Sequence, residues 1–400
     1  MTSAEKRIFG LNLNKRLMFG TRFFIELKSI FAVVQLFYLT RGLNPSEIIY
    51  LSLVWSVTTL FSDLPSSIIA DRFGRKKTII LGIFLTAIST LSLFFAEGFW
   101  QVVPVHILGA MGISFFSGAD QALLYDSVKE LGQEKSMNRI SGKYFAAASL
   151  PKIVVPLLGS YIARNLLPTQ FLILIGIDFV GMIIALIIST FLTEPIIKNK
   201  LKNSYEYLAD GIKLISQDKT LLKLALNKIM VLQAAFVYWR IYQILLQNAQ
   251  MPIIYLGVVY TIFQGIMFVT HWNTEKVQKF FGLVNYALLP QILGFIGIAF
   301  SLLSTNLVVI FISCVAVILV GTFRDPFFMT QMQARIPSAN RATATSALNT
   351  IKNSSDIPIL LLIGYLTSIN IDYVLIVSGV MFLASIIFLR IKKEDLTLQL

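Results

Sequence analysis

The chain has 400 residues, 56% of them hydrophobic and only 14% charged, with a mean hydropathy of +0.74. Soluble domains carry roughly 25% charged residues, so this composition excludes an ordinary soluble protein and predicts a polytopic membrane protein. The net charge of +13 would point to nucleic acid only in a soluble chain; a bias between loops explains it better, and no nucleic-acid partner is expected.

Twelve membrane helices are expected, near 18–40, 46–69, 78–99, 101–125, 140–163, 169–192, 221–246, 252–272, 283–304, 306–331, 344–368 and 371–390. Each approximates the roughly 20 residues that cross the hydrocarbon. The runs are long and continuous, which favours helices over a barrel of short alternating strands. The first run, from Leu17, is longer and more polar than the core of a cleavable signal. The single cysteine, Cys314, lies in an apolar run and allows no intrachain disulfide.

Lysine and arginine set the orientation. With the N-terminus inside, the inner segments hold Lys6, Arg7, Lys15 and Arg16, then Arg72, Arg75, Lys76 and Lys77, and further basic groups in every later inner loop. The outer segments hold only Arg41 and Arg164. Both termini are therefore expected in the cytoplasm, with the protein in the plasma (inner) membrane. The outer loops are tiny. The longest connection, about 193–220, is basic and falls at the midpoint, and Leu208, Ile212 and Ile215 repeat within it at helical spacing, which predicts a helix on the inner membrane surface. The expected organisation is a six-helix bundle over 1–192, a linker over 193–220 and a second six-helix bundle over 221–400.

The most polar stretch between two apolar runs reads Asp63-Leu-Pro65-Ser-Ser-Ile-Ile-Ala-Asp71-Arg72-Phe-Gly74-Arg75-Lys76-Lys77. Pro65 predicts a helix that bends or unwinds before its end, and Gly74 predicts the turn. An echo follows in the second half, where Glu275-Lys-Val-Gln-Lys279-Phe-Phe-Gly282 occupies the corresponding loop. Asn138-Arg139-Ile-Ser141 and Asn340-Arg341-Ala-Thr343 form a second matched pair. Parallel six-helix repeats are a transporter architecture with the substrate site between the halves.

Ala70, Asp71, Arg72, Gly74, Arg75 and Lys76 resemble the loop signature of the major facilitator superfamily, with Ser67 in place of its first glycine and Ile69 in place of its leucine. Asp63-Leu-Pro65, Ser117-Gly118-Ala-Asp-Gln-Ala122-Leu-Leu-Tyr125-Asp126 and, in part, Val155-Pro156-Leu-Leu-Gly159-Ser160 are similar to segments of that superfamily's bacterial exporters. His106 stands where many members carry an arginine. The resemblance implies an all-α membrane fold of twelve helices in two pseudo-symmetric bundles. It further implies alternating access by a monomer that takes a small-molecule substrate and exchanges protons with it, within the lipid bilayer.

Charges inside apolar helices mark mechanism, because one facing lipid costs about 3 kcal/mol or more. Arg22 and Glu26 are four apart on one face and can pair. The resemblance places Glu26 and Asp120 near the cavity, where a carboxylate shielded from water can exchange protons. Lys152 can neutralise either acid or meet an anionic substrate. Arg240, Arg324 and Asp325 are the second half's candidates for coupling or substrate contact, with Pro326 expected to break its helix. Tyr238 and Trp239 are expected to line a cavity that accepts amphipathic cations. Lys352 and Asp356, four apart, are expected to pair with each other. Asp63, Asp71, Arg72, Gly74, Arg75 and Asp126 make up a candidate inner gate, Asp71 facing the start of helix eleven by the resemblance. There is no His/Cys cluster and no phosphate loop, so neither metal nor cofactor is expected. No nucleophile–base pair stands out, so an enzyme is not expected. The leading reading is proton-coupled efflux; uptake or facilitated passage of a charged metabolite, and a non-transporting sensor of the same fold, remain open.

Overall fold

A computed structural model describes residues 2–196, 204–336 and 341–396. Among the described residues the helices form twelve rods, four of them broken. The first rod is α1 (Ser3–Ile25), a 3-10 turn (Ser29–Val33) and α2 (Val34–Thr40). Next come α3 (Pro45–Phe73) and α4 (Arg75–Ser92), then a broken fourth rod of α5 (Gly98–Phe116) and α6 (Ala119–Glu130). α7 (Met137–Ile162) and α8 (Pro168–Thr190) complete the first half, and α9 (Ser204–Gln217) connects to the second. There α10 (Lys219–Trp239) and α11 (Tyr242–Asn248) form the seventh rod, followed by α12 (Ile254–Trp272), the short α13 (Thr274–Phe281) and α14 (Leu283–Leu303). α15 (Leu307–Phe323) and α16 (Asp325–Arg335) form the tenth rod, and α17 (Arg341–Ile369) and α18 (Asp372–Phe388) end the series. Among the described residues seven rods are long and apolar enough to cross a membrane on length and composition alone, and Ile254–Thr270 and Asp372–Phe388 are shorter apolar helices.

The chain separates into two compact units, one of Met1–Leu43, Leu51–Leu201 and Ile253–Thr261, the other of Asn44–Tyr50, Lys202–Pro252 and Ile262–Leu400. In the first unit Met18, Ile79, Leu123, Tyr144 and Ala185 meet in one buried apolar cluster. In the second, Leu224, Tyr286, Phe328, Met332 and Ala347 do the same.

Apart from Pro326, which stands at the break expected of it, proline does not mark the breaks. Pro65, Pro104, Pro151, Pro156, Pro290 and Pro358 all lie inside helices that continue through them. The expected unwinding at Pro65 is therefore corrected: α3 runs helical to Phe73. The breaks fall instead at 26–28, at Ser117-Gly118, at Arg240-Ile241 and at Arg324, the last followed by Pro326 in the first turn of α16. Gly118 supplies a positive φ of 89° to its break. Gly74, at φ 99° and ψ 149°, joins α3 to α4 without any other loop residue, and Gly282, at φ 73° and ψ 149°, joins α13 to α14 in the same way. This backbone conformation disfavours a residue with a Cβ, so the sequence echo is also a conformational one.

The helix expected in the connection is present as α9, but Ile215 is 1% exposed and sits in the apolar cluster of the second unit. Protein, not lipid, is therefore the partner of Ile215. The Leu208 side chain lies outside the described residues.

Candidate functional site: two charge clusters at helix breaks

In the first unit the break after α1 leaves backbone groups without helical partners. Asp178 of α8 supplies them: its carboxylate accepts the Ser29 N–H at 2.6 Å and the Ile30 N–H at 3.3 Å, and the Ser29 hydroxyl lies 2.7 Å away. Backbone N–H groups buried without acceptors are costly, which is why the break sits beside an acid. α7 comes close enough to support the turn only because Gly159 lacks a side chain; a Cβ there would lie 1.9 Å from the Ser29 carbonyl oxygen.

Arg22, one turn before the break, reaches two acids. It lies 2.9 Å from Glu26 and 3.5 Å from Asp120. Lys152 of α7 approaches Glu26 at 3.2 Å. Asp120 also accepts the Gly118 N–H at 3.0 Å, the Gln121 N–H at 2.6 Å and the Tyr144 hydroxyl, so it closes the break in the fourth rod. The structure thus joins four of the residues singled out by sequence: Arg22, Glu26, Asp120 and Lys152. Glu26, Lys28 and Lys152 line a cavity of about 140 Å³ with Phe31, Pro156 and Tyr260.

In the second unit Arg240 occupies the break of the seventh rod, 3.5 Å from Asp356, and Lys352 reaches the same carboxylate at 3.3 Å. The expected Lys352–Asp356 pair is therefore a triad. Arg324 is 2% exposed, donates to Asn227, and stacks 4.5 Å from the centre of the Phe328 ring. Its neighbour Asp325 instead pairs with Lys228 at 3.2 Å. Tyr238 is also fully buried, its hydroxyl 2.9 Å from Ser301 and 3.3 Å from Cys314, which corrects its expected place on a cavity wall. Trp239 stacks at 4.9 Å on Tyr242 and 5.8 Å from Phe263.

At the α3–α4 junction Arg75 pairs with Asp126 of α6. Asp63 and Arg75 share a cavity of about 360 Å³ with Ser66, Ser114 and Ser117. Arg72 folds over its neighbour Phe73, 5.5 Å from the ring centre. The side chains of Asp71, Arg341 and His271 lie outside the described residues. His106 fills a polar gap, 3.3 Å from the Tyr38 hydroxyl and 3.2 Å from the Val102 carbonyl.

Sequence reasoning missed Glu194. Its carboxylate accepts the backbone N–H groups of Arg75 and Lys76, each at 2.7 Å, and so caps α4 directly behind Gly74. Residues 193–196 then run as a strap. The side-chain amide of Asn14 donates its N–H to the Thr193 carbonyl and accepts the Thr193 N–H on its oxygen, Arg7 pairs with Glu130, and Ile196 donates to Glu130 at 2.7 Å. Glu194 precedes a proline in a segment read as linker, and only its position after a long apolar run hinted at a capping role. Asp178 is an acid inside the apolar run near 169–192, but nothing local in the sequence ties it to Ser29.

Apolar helical rods long enough to cross a bilayer and broken at charged positions are the build of an integral membrane protein. The chain belongs to the Major Facilitator Superfamily, whose profile matches residues 18–357. An uncharacterized transporter of Buchnera aphidicola subsp. Schizaphis graminum (strain Sg) is 28% identical over 205 residues, 49% of this chain and 50% of that protein. The uncharacterized MFS-type transporter YqjV of Bacillus subtilis (strain 168) is 29% identical over 105 residues, 26% of this chain and 25% of that one. The chain thus matches at most half the length of these curated relatives. Among solved structures, a bacterial homolog of the human lysosomal transporter Spinster aligns with TM-score 0.72 at 13% identity, covering 99% of this chain and 98% of its own. The nucleoside transporter NupG aligns with TM-score 0.73 at 13% identity, covering 95% and 97%. Identities this low show the fold alone.

Proposed function

We propose that this transporter exports a small molecule by alternating access and couples that flux to protons, with Glu26 as the coupling carboxylate. The observation that carries the reading is the sharing of Arg22 between Glu26 and Asp120, with Lys152 on the other side of Glu26. A proton on Glu26 removes the partner of Lys152 and leaves Arg22 to Asp120, so protonation changes which helices are held together. Proton exchange at a shared carboxylate of this kind is a familiar use of intramembrane acids.

The same reading gives residues 1–192 and 221–400 as the two moving bundles, with 193–220 between them and both termini in the cytoplasm. The inner gate then comprises Asp63, Asp71, Arg72, Gly74, Arg75 and Asp126. Its ion pairs need only modest strength, about 1 kcal/mol each where water reaches them, because a gate must open. Arg240, Arg324 and Asp325 brace or contact substrate from the second bundle.

Reconstitution into proteoliposomes tests the coupling. An imposed pH gradient is expected to drive flux of a transported substrate, and Glu26→Gln is expected to abolish gradient-driven flux while leaving exchange. Flux indifferent to the gradient, or a Glu26→Gln protein that follows it as the parent does, would sink the proposal. Accumulation with the proton gradient reversed relative to export would make the protein an importer.

A further inference from the structure

The cavity beside the first helix break carries unevenly matched charges. Glu26 is already held by Arg22 at 2.9 Å and by Lys152 at 3.2 Å. Lys28 lines the same cavity and opens the 3-10 turn without a side-chain cap. Among the described residues, no acceptor lies within hydrogen-bond distance of its ammonium and no carboxylate within 4.0 Å. Asp178, the other acid near the break, is engaged by Ser29 and Ile30. Two ammonium groups and one doubly paired carboxylate therefore face a space of about 140 Å³. The rest of the lining is two rings and a proline: Phe31 meets Tyr260 edge to face at 5.8 Å, and Pro156 completes it.

An ammonium drawn from water into an apolar span is stabilised by an anion that hydrogen-bonds to it. A cationic ligand would be repelled by Lys28 and Lys152, and Glu26 could offer it only oxygens already shared. Resting on the reading of this unit as part of a transport pathway, we propose that the cavity is a subsite for a small organic monoanion. Its carboxylate sits between Lys28 and Lys152, and its apolar body lies against Phe31, Pro156 and Tyr260. The volume suits a ligand of one ring or a short chain and excludes a large amphipathic drug from this subsite.

Three probes with one ring and different charge test this: benzoate, benzamide and benzylamine, added to the purified full chain in detergent while thermal unfolding is followed. Benzoate is expected to raise the midpoint in a concentration-dependent way, since a ligand of the folded state stabilises by mass action, and the other two are not. Lys28→Gln is expected to weaken benzoate about tenfold or more, the scale of one charge-assisted hydrogen bond, while Lys28→Arg keeps most of the affinity. If Lys28→Gln does not fold, Lys152→Gln and Tyr260→Leu carry the same expectation from the other two sides of the cavity. Stabilisation by benzylamine in place of benzoate, benzoate binding unaltered in these variants, or no effect of benzoate on the parent protein would each overturn the proposal. Benzoate binding with flux indifferent to a pH gradient would uphold the anion subsite and end the coupling proposal. Gradient-driven flux of a cation without benzoate binding would do the reverse.

Discussion

The carboxylate of Asp178 receives the backbone N–H of Ser29 at 2.6 Å, across two rods of the first unit. This contact lets the first rod unwind in the middle of an apolar span. Asp178→Ala is expected to leave the Ser29 and Ile30 N–H groups without acceptors and to cost about 2–4 kcal/mol, the range for stranding buried polar groups and removing a charged acceptor. Asp178→Asn keeps one carbonyl acceptor and should cost less. Thermal unfolding in detergent would show this order, and equal midpoints for Asp178→Ala and the parent would contradict it.

Gly159 gives a steric prediction with an internal control. Gly159→Ala places a Cβ on the Ser29 carbonyl oxygen and forces α7 away from the break. Gly142, in the same helix, has open space around its Cβ position. Gly142→Ala is therefore expected to be neutral or to stabilise by up to about 1 kcal/mol through helix propensity. Gly159→Ala should lower the midpoint and the folded yield together.

The α3–α4 junction combines conformation and charge. Gly74→Ala requires φ near 99° of a residue with a Cβ, and that Cβ would stand 3.0–3.2 Å from the Glu194 carboxyl group. A cost of about 1–3 kcal/mol follows from this positive-φ, extended backbone alone, a region essentially reserved to glycine. Glu194→Gln retains acceptor capacity for only one of the two N–H groups of Arg75 and Lys76 and should also destabilise. The two changes share one contact, so their effects are expected to be less than additive, and a double-mutant cycle measures the difference.

Two acids at helix ends outside the spans give a pH dependence. Burial pushes the Asp218 carboxyl up, but the Leu221 and Thr220 N–H groups and Arg335 outweigh it and hold the group below its ordinary value. Burial likewise pushes Asp395 up, and Lys223 with the Lys392 N–H brings it below the ordinary value. A carboxylate lowered on folding stabilises above its unfolded pKa, about 3.9, and that stabilisation is lost as pH falls through the folded value. The midpoint difference between the parent and an Asp218→Asn, Asp395→Asn double variant should be full at pH 7, begin to shrink as pH falls towards about 4, and vanish only below the lowered folded values. A difference that persisted in acid would assign the effect to packing.

Much of the fold was legible locally. Gly74 announced its turn because a positive φ is a property of one residue, and Gly282 repeated it. Arg22 and Glu26, and Lys352 and Asp356, were legible as pairs because four residues along a helix bring side chains together. Arg324 and Tyr238 were not, since their burial depends on Asn227, Phe328, Ser301 and Cys314 from other rods.

By itself, then, the sequence determined an all-helical membrane chain with twelve rods, its loop charges and its junction glycines, because hydropathy and turn chemistry act over a few residues. Beyond the break at Pro326 and the pairs four residues apart, only the tertiary structure decided where the rods break and which charges meet. The breaks at 26–28 and 240–241 contain neither glycine nor proline, and unwound backbone in an apolar span persists only where another rod brings the acceptor, as α8 brings Asp178 to Ser29.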